Sequence, residues 1–289
     1  MKTRTGEAAF VANERRKSDA FAFDQQDFVY LQQLVKRKSG IILADDKQVM
    51  AYSRLTGRLR ELNLTRFRDY FDLIDRPGSN EIDHCLDAIS TNLTSFFREQ
   101  HHFTFIRDVL VPEARKQTRR ANQLRIWSAG CSSGEEAYSI AITIAEALPA
   151  RGSWNIEIIG TDLDRNMVNR AQQGRYQQRQ CQPLLSPAIQ QRYFKQENDY
   201  LVVKNTLKSM VSFSRLNLLD PWPAFTPFDM IVCRNVMIYF DKPTQEALIN
   251  RYHRLLRPNG YLLIGHSEKI TNPAGKFTSL GRTIYQRNG

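Results

Sequence analysis

Arg125–Ser139, RIWSAGCSSGEEAYS, decides how this chain is read. It starts as a buried strand, passes through a turn of small residues and enters a helix. The turn, Ala129-Gly130-Cys131-Ser132-Ser133-Gly134, carries almost no side-chain bulk, so a nucleotide-like ligand can lie against its backbone. Glu135 and Glu136 follow at the head of the helix, where carboxylates complement the positive end of its dipole.

Those two acids restrict the ligand. A phosphate-binding loop needs Lys and Ser or Thr after its last glycine; Glu135 and Glu136 stand there instead. A dinucleotide fingerprint needs three glycines in G-x-G-x-x-G spacing, which Gly130 and Gly134 do not give. The acids would repel a pyrophosphate and suit a ligand that is uncharged or cationic near the turn. S-adenosylmethionine has ribose hydroxyls, no phosphate, a sulfonium and an ammonium. A strand–helix turn that binds nothing has the same composition, and the loop alone leaves the two readings level. Trp154–Asp164, WNIEIIGTDLD, tips the balance. It reads as a second strand ending in acids, where nucleotide-binding α/β folds receive ribose hydroxyls. Asp162 stands a little over ~20 residues past the loop, as that role expects, and Asp164 is placed to cap a helix over Arg165–Gln173.

Outward from this corner, strands and helices alternate, the pattern of a parallel sheet. The expected strands are Leu124–Ser128, Ile156–Thr161, Val211–Arg215, Phe228–Cys233 and Tyr261–Gly265. A helix over Lys242–Leu256 is capped by Asp241 and ends before Pro258-Asn259-Gly260. Phe277–Leu280 and Thr283–Gln286 read as a terminal antiparallel pair. Gly174–Met210 breaks the alternation, with a short helix near Pro187–Phe194 and a strand-like Tyr200–Val203, and reads as an inserted small antiparallel β-subdomain. The fold class is α/β, a doubly wound, mostly parallel sheet. Residues 24–90 read as a separate helical domain: Phe28, Leu31, Leu34 and Val35 recur at helical spacing, as do Tyr52, Leu55, Leu59 and Leu62. Two shorter helices, Phe67–Ile74 and Ile82–Ile89, flank Pro77-Gly78. Arg54 and Arg58, with Arg60 near the edge, form a basic helix face. A polar tail over 1–23 precedes this domain; a linker and connecting helix over 91–120 lead to the sheet domain at 121–289, with its insert at about 174–210.

With 289 residues and 42% hydrophobic content, the chain can bury a sizeable core. No apolar run approaches the ~20 residues of a membrane span, and Met1–Ala20 lacks the apolar core of a signal peptide. The four cysteines (Cys85, Cys131, Cys181 and Cys233) are widely spaced, as expected of reduced thiols in a cytoplasmic protein without a structural metal. The net charge of +11 lies almost wholly beyond residue 90, because residues 1–90 hold fifteen basic against fourteen acidic side chains. Such a surface attracts an acidic macromolecule.

Six segments in order carry a resemblance: NLTSFFRE at Asn92–Glu99, WSAGCSSGEEAYSIA at Trp127–Ala141, DLD at Asp162–Asp164, NLL at Asn217–Leu219, CRNVMIYFD at Cys233–Asp241 and GHSE at Gly265–Glu268. Together the chain resembles the chemotaxis receptor glutamate methyltransferase family, CheR. The resemblance implies a class I S-adenosylmethionine-dependent methyltransferase domain, Rossmann-like, behind a helical N-terminal domain. It implies esterification of glutamate side chains on methyl-accepting chemotaxis receptors, with adaptation of chemotactic signalling as the output. By the same resemblance Asn92, Thr94 and Arg98 reach the cofactor and active site from the linker. Glu135, rather than Glu136, meets the cationic end of the cofactor, Asp162 holds the ribose, Asn217 and Leu218 flank the adenine, and Asn235 and Val236 line the cleft. Arg98 and Tyr239 place the substrate carboxylate. Further expectations are a monomer recruited to membrane receptor arrays, receptor contact through Arg54, Arg58 and Arg60, and, in some members, a receptor C-terminal pentapeptide on the β-subdomain. Nucleic-acid methylation is disfavoured, because Arg234–Tyr239 lacks the prolines of amino-methyltransferases and Cys233 has no preceding proline. A non-catalytic cofactor sensor and an NADP oxidoreductase are the other classes; the retained Arg98 and Asp162 count against the first, and the loop spacing against the second.

Overall fold

The computed structural model describes residues 21–116, 122–148, 154–271 and 275–289. Nearly all of the expected polar tail, and the end of the connecting segment at 117–120, lie outside the described residues. The chain divides into two compact units, residues 1–38 with 43–89 and residues 39–42 with 90–289.

The smaller unit is built on α1 (Gln25–Ser39), α2 (Gln48–Glu61), α3 (Phe67–Asp75) and α4 (Glu81–Ile89). Each turns its apolar stripe inward. Phe28, Leu31, Leu34 and Val35 on α1 are fully buried, as are Leu55 and Leu59 on α2. Phe23, Tyr52, Phe67 and Phe71 cluster with ring centroids 4.3–6.2 Å apart. Arg58 is not a free cation on the α2 face. It forks onto both oxygens of Glu81, at 2.9 and 2.6 Å, and reaches Glu61 at 2.8 Å. Arg54 turns to the end of α4 and donates to the carbonyls of Ala88 and Ile89. The basic face expected of Arg54, Arg58 and Arg60 is therefore partly spent on holding α2 to α4. Arg60 stays exposed and lies over the ring of Phe21 at 5.5 Å.

The larger unit opens with α5 (His101–Phe105), a π-turn at Ile106–Leu110 and α6 (Val111–Lys116). Then follow β1 (Gln123–Ala129), α7 (Glu135–Ala147), β2 (Asn155–Asp162) and α8 (Arg165–Gln173). The insertion comprises β3 (Arg175–Gln177), α9 (Gln178–Cys181), α10 (Pro187–Tyr193), β4 (Phe194–Glu197), β5 (Tyr200–Val203) and α11 (Asn205–Lys208). The chain closes with β6 (Val211–Arg215), β7 (Phe228–Cys233), α12 (Lys242–Leu255), β8 (Leu256–Ile264), β9 (Phe277–Gly281) and β10 (Ile284–Arg287).

Seven strands form one sheet in the order β6-β2-β1-β7-β8-β10-β9, the first five parallel, β10 antiparallel to β8 and β9 antiparallel to β10. β1 is central and almost continuously buried, as a strand covered on both faces must be. Leu124 and Ile126 enter one core, Trp127 and Ala129 the other. From β1 the chain winds outward to β2 and β6; from β7 it winds the other way to β8. That reversal opens a crevice at the carboxyl ends of β1 and β7, the place where doubly wound sheets bind ligands.

The insertion folds as a separate antiparallel sheet, β3-β5-β4. β5 stands at the expected Tyr200–Val203, and Lys204-Asn205 leads on into α11. The seven-stranded sheet's last parallel strand differs from expectation: it starts at Leu256, not Tyr261, and passes through Pro258-Asn259-Gly260 with a register irregularity against β7. A left-handed Asn259 lets the strand absorb the turn instead of starting after it.

Candidate active site

β1 ends where side chains must vanish. Gly130 has φ +95°, and a Cβ built on it would lie 2.3 Å from Cγ2 of Val236. The N–H groups of Gly130 and Cys131 both donate to the carbonyl of Thr161, at 2.8 and 2.9 Å, fastening the turn to the end of β2. Gly134, also at φ +95°, starts α7. All four cysteines are buried free thiols, and Cys131 fills the turn as a small residue.

The acid at the end of β2 organises this corner. Asp162 accepts from Ser132 N–H at 2.7 Å and from Asp164 N–H at 3.0 Å. Burial pushes its pKa up to about 6, against these backbone donors that favour the charged form. Asp164 caps α8 through Asn166 and Met167 N–H. Its other oxygen accepts from Asn92 Nδ2 at 2.7 Å, and Ser132 Oγ donates to the Asn92 carbonyl at 3.3 Å. Asn92 thus ties the linker to both the turn and the β2 corner.

The two acids at the head of α7 are unlike. Glu136 accepts from Ser128 Oγ at 2.6 Å and from Arg234 Nη1 at 3.2 Å, so its charge is matched inside the protein. Glu135 accepts from a neutral hydroxyl, Ser133 Oγ at 2.7 Å, and from backbone N–H; Arg170 acts on it at longer range, and no described cation forms an ion pair with it. Burial raises its pKa. A half-buried carboxylate without an ion-pair partner is a receptor for a cation.

Arg98 lies between two non-glycine residues in the left-handed region, Phe97 at φ +54° and Glu99 at φ +60°. Phe96 anchors the segment against Tyr176 and Phe194, and Phe97 N–H donates to Ser139 Oγ at 3.0 Å. Arg98 Nη1 donates to the Leu93 carbonyl at 2.9 Å, and the side chain forms no ion pair with a described carboxylate. Thr94 is half-buried on the same segment.

Beyond β7, Asn235 turns left-handed at φ +59°, and its N–H donates to Glu268 Oε2 at 3.0 Å. Gly265 and Ile238 N–H groups donate to the same carboxylate. Tyr239, half-buried, ends the 3₁₀ turn Met237–Tyr239. Beyond β6, Asn217 forms a turn of its own, accepting from Leu219 N–H at 3.1 Å, while the buried Leu218 gives its carbonyl to Trp222 and Arg251. Leu216 N–H donates to the Asp162 carbonyl at 2.9 Å, drawing this segment to the acid corner. Asn92, Glu135, Asp162 and Val236 therefore meet around one turn; Asn235 precedes Val236, Asn217–Leu218 follows Leu216, which donates to Asp162, and Arg98 is joined to α7 through Arg234 and Glu136. The sequence marks Glu136 as an acid at the helix head and does not single out Arg234 or Glu268. The signal for Arg234 was present: a charge directly after the buried apolar run Met230–Cys233 must be paired.

Two family profiles cover the chain: the all-alpha domain of CheR methyltransferases matches residues 26–90, and their SAM-binding domain matches residues 92–286. The chain belongs to the CheR methyltransferase family. It is 42% identical to the chemotaxis protein methyltransferase of Salmonella typhimurium over 91% of both chains. It is 41% identical to chemotaxis protein methyltransferase 2 of Pseudomonas aeruginosa, over 92% of this chain and 94% of that one. The Escherichia coli chemotaxis protein methyltransferase is 40% identical over 93% of each. The enzyme is an S-adenosylmethionine-dependent methyltransferase. The residues present fit that cofactor: a turn with no room for a Cβ at Gly130, a half-buried Glu135 without an ion-pair partner, and Asp162 raised toward neutrality by burial.

Proposed function

We propose that the enzyme methylates glutamate side chains in the cytoplasmic helical bundles of methyl-accepting chemotaxis receptors, forming glutamate 5-O-methyl esters. One observation carries the reading. Glu136 is ion-paired with Arg234, whereas Arg98, beside a turn suited to a cationic cofactor, acts on Glu136 at longer range and forms no ion pair with a described carboxylate. A carboxylate arriving from outside is the group that Arg98 would receive. The names of the relatives point to the same substrate class.

In this reading Glu135 holds the amino end of the cofactor and Asp162 its ribose hydroxyls. Asn217 and Leu218 flank the adenine, and Asn92, Thr94, Asn235 and Val236 line the remaining wall. Bound there, S-adenosylmethionine supplies an activated methyl group on sulfur. The protein has little proton chemistry to perform, because a glutamate side chain with a pKa of ~4.3 is already ionised at neutral pH. Its work is to hold the carboxylate in line and keep water out. Arg98 grips the carboxylate and fixes its angle, and Tyr239 borders it. Exposed cations such as Arg60 favour an acidic helical bundle. The edge strands of the β3-β5-β4 sheet offer unpaired backbone to a receptor's terminal pentapeptide. A cytoplasmic monomer visiting the receptor array fits buried free thiols and described helices none of which is long and apolar enough to cross a membrane.

The direct test incubates enzyme, methyl-labelled S-adenosylmethionine and receptor-bearing membranes. Label on receptor protein that is released by mild base supports the ester; label on nucleic acid, or none, overturns the reading. The acid corner adds a pH signature. Hydroxyl donors favour ionised Asp162, so protonation opposes cofactor binding. Affinity for S-adenosylhomocysteine should be level above about pH 7 and weaken roughly tenfold per unit below about 6, with Glu135 acting in the same direction. Calorimetry near pH 7.5 and near pH 5 checks this, and constant affinity would remove the ionised Asp162 from cofactor binding.

A further inference from the structure

Arg234 leaves β7 as a buried charge, and three parts of the site meet on its guanidinium. Nη1 donates to Glu136 of α7 at 3.2 Å. Nη2 donates to the main-chain carbonyl of Arg98. Nε faces Glu99 Oε2 at 3.6 Å, and the side chain is 3% exposed. Glu136 is held from β1 by Ser128 Oγ at 2.6 Å, and Glu99 by His266 Nδ1 at 2.9 Å. Glu99, His101 and His102 also bring metal-type ligand atoms within 4.8 Å of one another. The guanidinium of Arg234 already supplies the positive charge beside Glu99, so this cluster is better read as an ion-pair network.

The segment that depends on this network is strained. Phe97 and Glu99 are left-handed on either side of Arg98, and such backbone persists only where its surroundings hold it. The Arg98 carbonyl is a point of hold, and Arg234 is its donor.

We propose that Arg234 is a positioning residue for methyl transfer: by fixing the Arg98 carbonyl and Glu136 together, it sets the direction from which the Arg98 side chain meets the substrate carboxylate, relative to the helix that bears Glu135. This rests on the proposed role of Arg98. Glu136 belongs to the same device, as the anchor that ties Arg234 to α7.

Lysine separates geometry from charge. It keeps the cation but is a point donor that cannot bond Glu136 and the Arg98 carbonyl together while facing Glu99, as the guanidinium fork does. Alanine is the poorer probe, because it strands Glu136 and Glu99 as buried charges and risks unfolding the protein. Arg234→Lys is expected to stay folded, to bind S-adenosylhomocysteine within roughly threefold of the parent, and to lower kcat on receptor membranes roughly 30-fold. Arg98→Ala and the double variant complete a cycle. If Arg234 acts through Arg98, the double variant is no slower than Arg98→Ala, and independent, multiplying losses overturn the proposal. Normal turnover in Arg234→Lys beside a crippled Arg98→Ala overturns the proposal and leaves the reading of Arg98 standing. Normal turnover in Arg98→Ala alone overturns that reading and this proposal with it. An equal fall in cofactor affinity and turnover in Arg234→Lys would make Arg234 a support of the cofactor turn only, and overturns positioning.

Discussion

Arg98→Ala is expected to cut receptor methylation by roughly two to three orders of magnitude while affinity for S-adenosylhomocysteine falls less than about tenfold. The split follows from what Arg98 touches. Its side chain donates to the Leu93 carbonyl, 2.9 Å away in its own loop, and the rest of the guanidinium fork is available to a carboxylate. The glycine turn and its acids do not depend on that fork: Asp162 is set by Ser132 and Asp164 N–H, and Glu135 by Ser133. Removing Arg98 should therefore leave the cofactor turn formed and the incoming carboxylate unaligned. Two to three orders of magnitude correspond to about 3–4 kcal/mol, at 1.36 kcal/mol per tenfold, well within what orientation can supply. Arg98→Lys should recover part of the rate, as a point charge that attracts the carboxylate without fixing its plane. Initial rates of base-labile methyl incorporation, set beside calorimetric affinity, measure both quantities. Equal losses in the two would move Arg98 into the cofactor site and away from the substrate.

The sheet was legible in the sequence where a strand alternates, as in VSFSR, or is mostly apolar, as in FDMIVC. Val211–Arg215 and Phe228–Cys233 stand at the expected bounds, and Asp164 and Asp241 cap the helices they precede. β3 and β4, of three and four residues, are too short to show a period, and only their pairing with β5 makes them strands. The Arg54 and Arg58 face misled for a related reason: helical spacing shows which side chains share a face, but not that Glu81, far along the chain, will cover one of them. The site divides in the same way. Glycines in a turn and an acid at a strand end announce themselves through local chemistry. Glu136, Arg234 and Glu268 act through partners brought close only by the fold, and Glu268 in particular spends its carboxylate on three N–H groups of two separate turns. A motif can mark such residues, yet only the folded chain assigns Glu136 to an ion pair and leaves Glu135 without one.

Gly130→Ala should be a severely damaging single methyl. The added Cβ would meet Val236 Cγ2 at 2.3 Å, and φ +95° is a conformation an L-residue enters only at a cost of about 1–2 kcal/mol. Overpacking adds about 1–3 kcal/mol, so a loss of about 2–5 kcal/mol is expected in chemical denaturation. Cofactor affinity should fall by at least roughly 100-fold, because relief of the clash moves the turn backbone away from Val236, and both line the same wall. The two costs can be separated. Val236→Ala removes the methyl that collides and leaves its Cβ 3.5 Å from the new one, an ordinary contact. Gly130→Ala combined with Val236→Ala should therefore regain about 1–3 kcal/mol over Gly130→Ala alone, while the backbone term of about 1–2 kcal/mol persists. A double variant no more stable than Gly130→Ala would show that backbone conformation alone requires glycine here. Recovery of stability without recovery of cofactor affinity would show something sharper: the bare backbone at Gly130 is needed for the ligand that lies on it, and Val236 only borders the space that glycine leaves open.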